Sequence, residues 1–219
     1  MAKKVLKELS HDEKIKAMFK VFFDMKNNPV YKSLFSLKDQ ILSKGIIFSG
    51  VGKNWWICEK VTRTFLSLGI KAQALDPTHA LHGDLGMIDG QVIVFVSRSG
   101  TTEELVKLVK VLQALNRNNI KKCTMVGLYL NNTILDKEEL YDYLIIPSRK
   151  FSPERIYECD SRNLVPSLSI NILQLLLDDF GIQIFESEPN LVENYKYNHM
   201  GGANGKKLGT DKLLKKFES

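Results

Sequence analysis

The apolar residues of this chain change their period as the chain proceeds. Between Ser10 and Lys44 they recur every three or four positions, with Met18, Val21, Phe22 and Met25 forming one helical stripe. Asn27-Asn28-Pro29 interrupts it, and a second helix is predicted from about Ser33 to Lys44. Ser10 and Glu13 have the spacing of a capping box, which satisfies free amides at a helix start. From residue 46 onward, short apolar runs alternate with helical stretches. Ile46-Ile47-Phe48, Ala72 to Leu75, Val92 to Val96, Thr124 to Leu128 and Tyr143 to Ile146 read as strands. The run Val92-Ile93-Val94-Phe95-Val96 is apolar throughout, which suits a strand covered on both faces. Between strands, Val61, Phe65 and Leu68 mark one helix, and Leu105, Leu108, Val109 and Leu112 another. Residues 147 to 165 look irregular. A long apolar helix is then predicted from about Pro166 to Phe180, proline being suited to a first turn.

Strands alternating with helices predict an α/β fold: a doubly wound, five-stranded parallel sheet flanked by helices. Residues 1–44 would form an N-terminal helical extension packed on the domain. Residues 45–183 would form the core, and 184–219 a C-terminal helix with a Gly-rich, basic tail. In such folds ligands bind beyond the carboxyl ends of the strands. That rule points to the loops at 49–54, 76–87 and 97–103.

Composition narrows the partners. The chain has 219 residues, 44% hydrophobic and 26% charged, which suits a globular domain able to bury a core without staples. The net charge is +6, but the lysines are spread and no block of five like charges occurs, which argues against a nucleic-acid arm. An anionic small substrate and a lysine-rich proteome both fit the excess. Cys58, Cys123 and Cys159 are odd in number and form no CxxC pair, arguing against a disulfide framework or a zinc site. Met1-Ala-Lys-Lys leads into a charged stretch rather than an apolar signal core, and no run of about 18 apolar residues is read, so no membrane partner is expected and the cytoplasm is the expected compartment.

Four loops carry candidate chemistry. Ser97-Arg98-Ser99-Gly100-Thr101-Thr102 opens onto a strong helix, and hydroxyls with backbone amides at a helix N-terminus suit a phosphate. Thr101 and Glu104 also fit a capping box, which explains one hydroxyl but neither Ser97 nor Ser99. Gly50-Val51-Gly52-Lys53 lacks the Walker spacing; its glycines allow a tight strand-to-helix turn with Lys53 at the tip, where a merely solvated lysine is the plainer reading. His79 and His82 lie three apart with too few neighbouring ligands for a metal, while a histidine can transfer protons near neutral pH. The fourth segment, Asn198-His199-Met200-Gly201-Gly202-Ala203-Asn204-Gly205, reads by itself as a frayed tail.

Taken together these loops are more informative. Lys53 after Gly-x-Gly, then Leu81-His82-Gly83-Asp84-Leu85-Gly86-Met87-Ile88, then Ser97-x-Ser99-Gly100-x-Thr102-x-Glu104, then His199 before Gly-Gly-Ala-x-Gly, resemble the SIS (sugar isomerase) domain, and more narrowly the arabinose-5-phosphate isomerases, over roughly residues 10 to 209. The resemblance implies a single SIS domain interconverting D-arabinose 5-phosphate and D-ribulose 5-phosphate through an enediol, with no cofactor. It implies that Ser49, Ser97, Ser99 and Thr102 meet the phosphate, with Gly50, Gly52, Gly100 and Thr101 completing the two loops. Lys53 would steady the enediolate. His82, Glu104, Glu158 and His199 match the remaining ionisable positions, and which of His82, Glu158 and His199 removes the C2 proton stays open. His199 would reach a neighbouring subunit's site, implying a homodimer or homotetramer. The paired CBS domains of longer relatives are not expected. The sequence departs from the family pattern at Asn54-Trp55-Trp56, where relatives often carry Ser-Gly-His, and at Leu168, where a hydroxyl is lost. Alternatives are a non-catalytic phosphosugar sensor and an isomerase of another sugar phosphate, such as a hexulose 6-phosphate.

Overall fold

The computed structural model describes residues 9–131, 139–151 and 156–213. The first lysines, part of the irregular stretch after 147 and the basic end of the tail lie outside the described residues. Five parallel strands, β1 (Ile46–Gly50), β2 (Ala72–Leu75), β3 (Val92–Ser97), β4 (Thr124–Tyr129) and β5 (Tyr143–Ile145), form one sheet in the order β2-β1-β3-β4-β5. Each run predicted from apolar patterning is a strand. The order turns back between β1 and β3, so the connections after these two neighbours leave on opposite faces.

The helices are α1 (His11–Lys26), α2 (Pro29–Ser33), α3 (Lys38–Lys44), α4 (Lys53–Ser67), α5 (Pro77–Ala80), α6 (Glu103–Arg117), α7 (Leu168–Ser187), α8 (Pro189–Asn198) and α9 (Gly202–Leu208). Because side chains alternate along a strand, Phe48 and Ile47 point to opposite faces. Phe48 packs with Phe65 of α4, Met18 of α1 and Phe180 of α7. Ile47 and Phe95 pack with Leu108 of α6 and with Tyr129. The Phe48 and Phe65 rings meet edge to face at 5.0 Å, near the centre of the first layer.

The capping box at Ser10 forms in both directions: Glu13 N donates to Ser10 Oγ at 3.3 Å, and Ser10 N donates to Glu13 Oε2 at 2.8 Å. The single helix predicted from Ser33 to Lys44 is instead divided. Leu34–Leu37 is a 3₁₀ turn between α2 and α3. Leu34 and Leu37 are both buried, and the tighter turn places residues three apart on the same side.

Helix α7 begins at Leu168 and runs past Phe180 to Ser187, because Gly181 and Ile184 extend its buried face. A Cβ at Gly181 would lie 2.7 Å from the Phe65 ring, so only glycine permits this approach to α4. Among the described residues α7 is long and apolar enough to cross a membrane by length and composition alone, a test that a core helix also passes. Asp178 and Asp179 break the apolar run in the sequence. In the fold they pair with Lys60 and Lys26, while the apolar side of α7 packs on α1 and α4 as a core helix does. The glycine-rich tail is also folded, as α9. Thr210 Oγ1 donates to His199 O at 2.9 Å, and buried Gly205 approaches Met200 so closely that a Cβ would lie 2.6 Å from its carbonyl oxygen.

Candidate functional site

The sheet places Gly50 beside Val96, so the turn after β1 and the loop after β3 are neighbours. Gly50 must be small: an added Cβ would lie 3.1 Å from Cys58 Sγ and from the Asn54 backbone. Gly52 has φ +62°, the left-handed region that favours glycine, and turns the chain directly into α4. Lys53 opens that helix and is exposed, and Trp56 in the same first turn is 70% exposed.

The loop after β3 is organised by its own hydroxyls. Ser97, almost fully buried, accepts from Gly100 N at 3.1 Å and lies 3.4 Å from Thr102 Oγ1. Ser99 Oγ accepts from Thr101 N at 3.2 Å and from Thr101 Oγ1 at 3.0 Å. Gly100, at φ +66°, permits the reversal. Helix α6 then starts at Glu103 with Thr102 as its N-cap, and the Thr102 side chain makes no cap hydrogen bond. The capping box considered for Thr101 and Glu104 therefore does not form: the helix begins one residue later, and Glu104 is exposed in its first turn. Among the described residues no side chain accepts from the first-turn amides, and amides of this kind beside hydroxyls are suited to an anion.

The other predicted site residues have different surroundings. Ser49 is fully buried and donates to Leu75 O at 2.8 Å, so its hydroxyl braces the end of β2. His82 is exposed in the turn after α5, with its backbone N donating to His79 O at 2.8 Å. Glu158 is fully buried. Its Oε2 accepts from Ser167 N at 2.7 Å and Ser169 N at 3.2 Å, and its Oε1 accepts from Ser169 Oγ. The carboxylate thus closes the N-terminus of α7. His199 lies elsewhere. Asn198 donates to Ser67 O at 3.2 Å and Leu191 covers Gly69, which sets α8 against the far end of α4 from Lys53, roughly 22 Å along the helix axis. Its half-buried ring stacks on Tyr195 with centroids 4.1 Å apart, and Nδ1 is 3.0 Å from Tyr195 O.

Reading the sequence missed Arg98. Its Nη1 faces Glu158 Oε1 at 3.4 Å and its Nη2 donates to Ile156 O at 3.3 Å, tying the hydroxyl loop to the segment before α7. The available signal was that Arg98 is the charged residue among the hydroxyls of residues 97–102.

A parallel sheet with a hydroxyl loop at its switch point, opening onto an uncapped helix, is the architecture of a SIS domain. Residues 41–136 match the SIS domain family. The chain is similar to arabinose 5-phosphate isomerase KpsF of Escherichia coli O6:H1, 28% identical over 166 residues that cover 75% of this chain and 47% of that one. It is also 30% identical over 184 residues to an uncharacterised protein of Rickettsia prowazekii, covering 83% of this chain and 51% of the relative. The chain thus spans about half the length of the curated relatives it matches. Among solved structures, a candidate phosphosugar isomerase of capsule formation from Bacteroides fragilis superposes with a TM-score of 0.72 at 24% identity, covering 87% of this chain and 96% of that one. An E. coli CFT073 protein in complex with arabinose 5-phosphate superposes with a TM-score of 0.65 at 22% identity, covering 85% and 93%. These two likenesses show the shared fold.

Proposed function

We propose that this protein is an aldose–ketose isomerase that interconverts D-arabinose 5-phosphate and D-ribulose 5-phosphate. The observation that carries the reading is the open N-terminus of α6, ringed by Ser97, Ser99 and Thr102 at the β1/β3 switch point. It offers amides and hydroxyls to a phosphoryl group. The similarity to arabinose 5-phosphate isomerases supports the choice of a pentose.

With the phosphoryl group seated there, the open-chain aldose presents its C2 proton to a base. That proton leaves, an enediol forms, and a proton is delivered to C1 while the hydroxyl proton on C2 passes to the C1 oxygen. Lys53, exposed at the mouth of the β1 turn, supplies positive charge for the enediolate. His82 and His199 supply proton transfer. Because His199 sits at the far end of α4 from Lys53, its part requires a second copy of the chain, and we assign the active form as a homo-oligomer. The chemistry requires no cofactor.

Incubation with D-ribulose 5-phosphate in heavy water tests the reading. Arabinose 5-phosphate carrying deuterium at C2 is the expected product by NMR. His82→Ala should abolish that signal without lowering the melting temperature. A phosphosugar sensor is the second reading, favoured by the enclosure of Glu158, a candidate base with both oxygens occupied. Binding of the sugar phosphate with no deuterium incorporated would select it, and turnover of a hexulose 6-phosphate in preference to the pentose would replace the substrate.

A further inference from the structure

Arg98 is the charged residue of the hydroxyl loop, and its surroundings suit more than a tie between loops. Its backbone continues the sheet, with Leu130 N donating to Arg98 O at 3.2 Å. Its guanidinium leaves the sheet toward residues 156 to 169. The contacts at 3.3 Å to Ile156 O and 3.4 Å to Glu158 are long for charge-assisted bonds, which run about 2.7–2.9 Å. Glu158 does not depend on Arg98, since α7 already supplies its donors. A guanidinium carries five N–H donors in a planar fork, and these two contacts leave donors to spare. The Arg98 side chain is 31% exposed. With Ser99, Leu130, Asn131 and Ile156 it walls a cavity of about 240 Å³ beyond the carboxyl ends of β3 and β4. Ser99 belongs both to this wall and to the hydroxyl loop, so the cavity continues directly from the proposed phosphate position.

We propose that Arg98 is a specificity-determining residue that touches the sugar. With the phosphoryl group on the 97–102 loop, the carbon chain enters this cavity and its oxygens accept from the guanidinium. Leu130 and Ile156 contact the carbon skeleton, while Glu158 and the Ile156 carbonyl aim the arginine. The ligand class is therefore a polyhydroxylated phosphomonoester rather than phosphate alone. The inference rests on the sugar-phosphate reading of the site.

Isothermal titration of the wild type, Arg98→Ala and Arg98→Lys with D-arabinose 5-phosphate and with inorganic phosphate tests it. In Arg98→Ala the sugar phosphate should bind roughly tenfold or more weakly, the scale of a lost charge-assisted hydrogen bond, with phosphate affinity changed by less than about twofold. Arg98→Lys keeps the charge but not the fork and should show the same selective loss, smaller in size. It serves as the readout should the alanine variant fail to fold. Equal weakening of both ligands would make Arg98 a phosphate contact, and unchanged affinities would make it a structural tie. Either overturns the inference and leaves the phosphosugar reading standing. A wild type that binds neither ligand overturns both.

Discussion

Helices α6 and α7 both begin near the carboxyl edge of the sheet, and their first turns are finished in opposite ways. At α7 a fully buried carboxylate, Glu158, accepts from the Ser167 and Ser169 amides and from both serine hydroxyls. At α6 the nearby hydroxyls of Ser97, Ser99, Thr101 and Thr102 bond to the loop and to one another, and among the described residues no side chain accepts from the first turn. The two ends carry the same partial positive charge. Where the chain supplies its own anion, the helix start is structural. Where it withholds one, the same electrostatics are left for a ligand.

Removing the internal anion should have the largest effect. Glu158→Ala would leave buried donors and Arg98 without their acceptor, and a loss of about 3–5 kcal/mol in unfolding free energy is expected by denaturant titration. At the open end the effect should move from stability to binding. Ser99→Ala is expected to weaken phosphate and sugar-phosphate binding by about 1.5–3 kcal/mol while the melting temperature hardly changes. Thr102→Asp would give α6 the anion it lacks. It should raise stability by about 0.5–1 kcal/mol and strip phosphate affinity through like-charge repulsion, both readable in one thermal-shift series with and without phosphate.

The smallest effect concerns Asp160, at the edge of the closed end. Backbone hydrogen bonds from Val165 and Leu164 hold its carboxyl below the usual aspartate value, against an opposing contribution from burial. A folded-state pKa below the unfolded one means stability that is present above the ordinary range near 3.8 and lost as pH falls through the lowered value. Asp160→Asn should flatten the acid limb of the melting curve, by lowering the melting temperature slightly at pH 7 while leaving it nearly unchanged in acid well below the ordinary aspartate range.

The strands, the Ser10 cap and the hydroxyl loop were legible because each is local. Apolar period, cap spacing and a Ser-rich turn before a helix are written in consecutive residues. What was not legible depends on partners distant in the chain. Arg98 meets Glu158 across sixty positions, by way of a sheet register that composition does not encode. Ser49 belongs to a phosphate-loop pattern, yet its hydroxyl is taken by Leu75 O because β2 ends beside it. Helix α7 was drawn only to Phe180 because the glycine that follows looks like a helix end, until Gly181 is seen to make room for the Phe65 ring. The glycines of α9 suggest disorder until Gly205 is seen to be the size its contact with Met200 allows.

The contact between His199 and Tyr195 fixes more than the ring's place. A carbonyl oxygen can only accept, so the proton in that 3.0 Å bond resides on Nδ1 of the neutral imidazole. The other nitrogen then keeps its lone pair, and the tautomer is selected by α8 before any other molecule approaches. In the neutral ring, the Nε2 side of His199 therefore offers a lone pair rather than a proton.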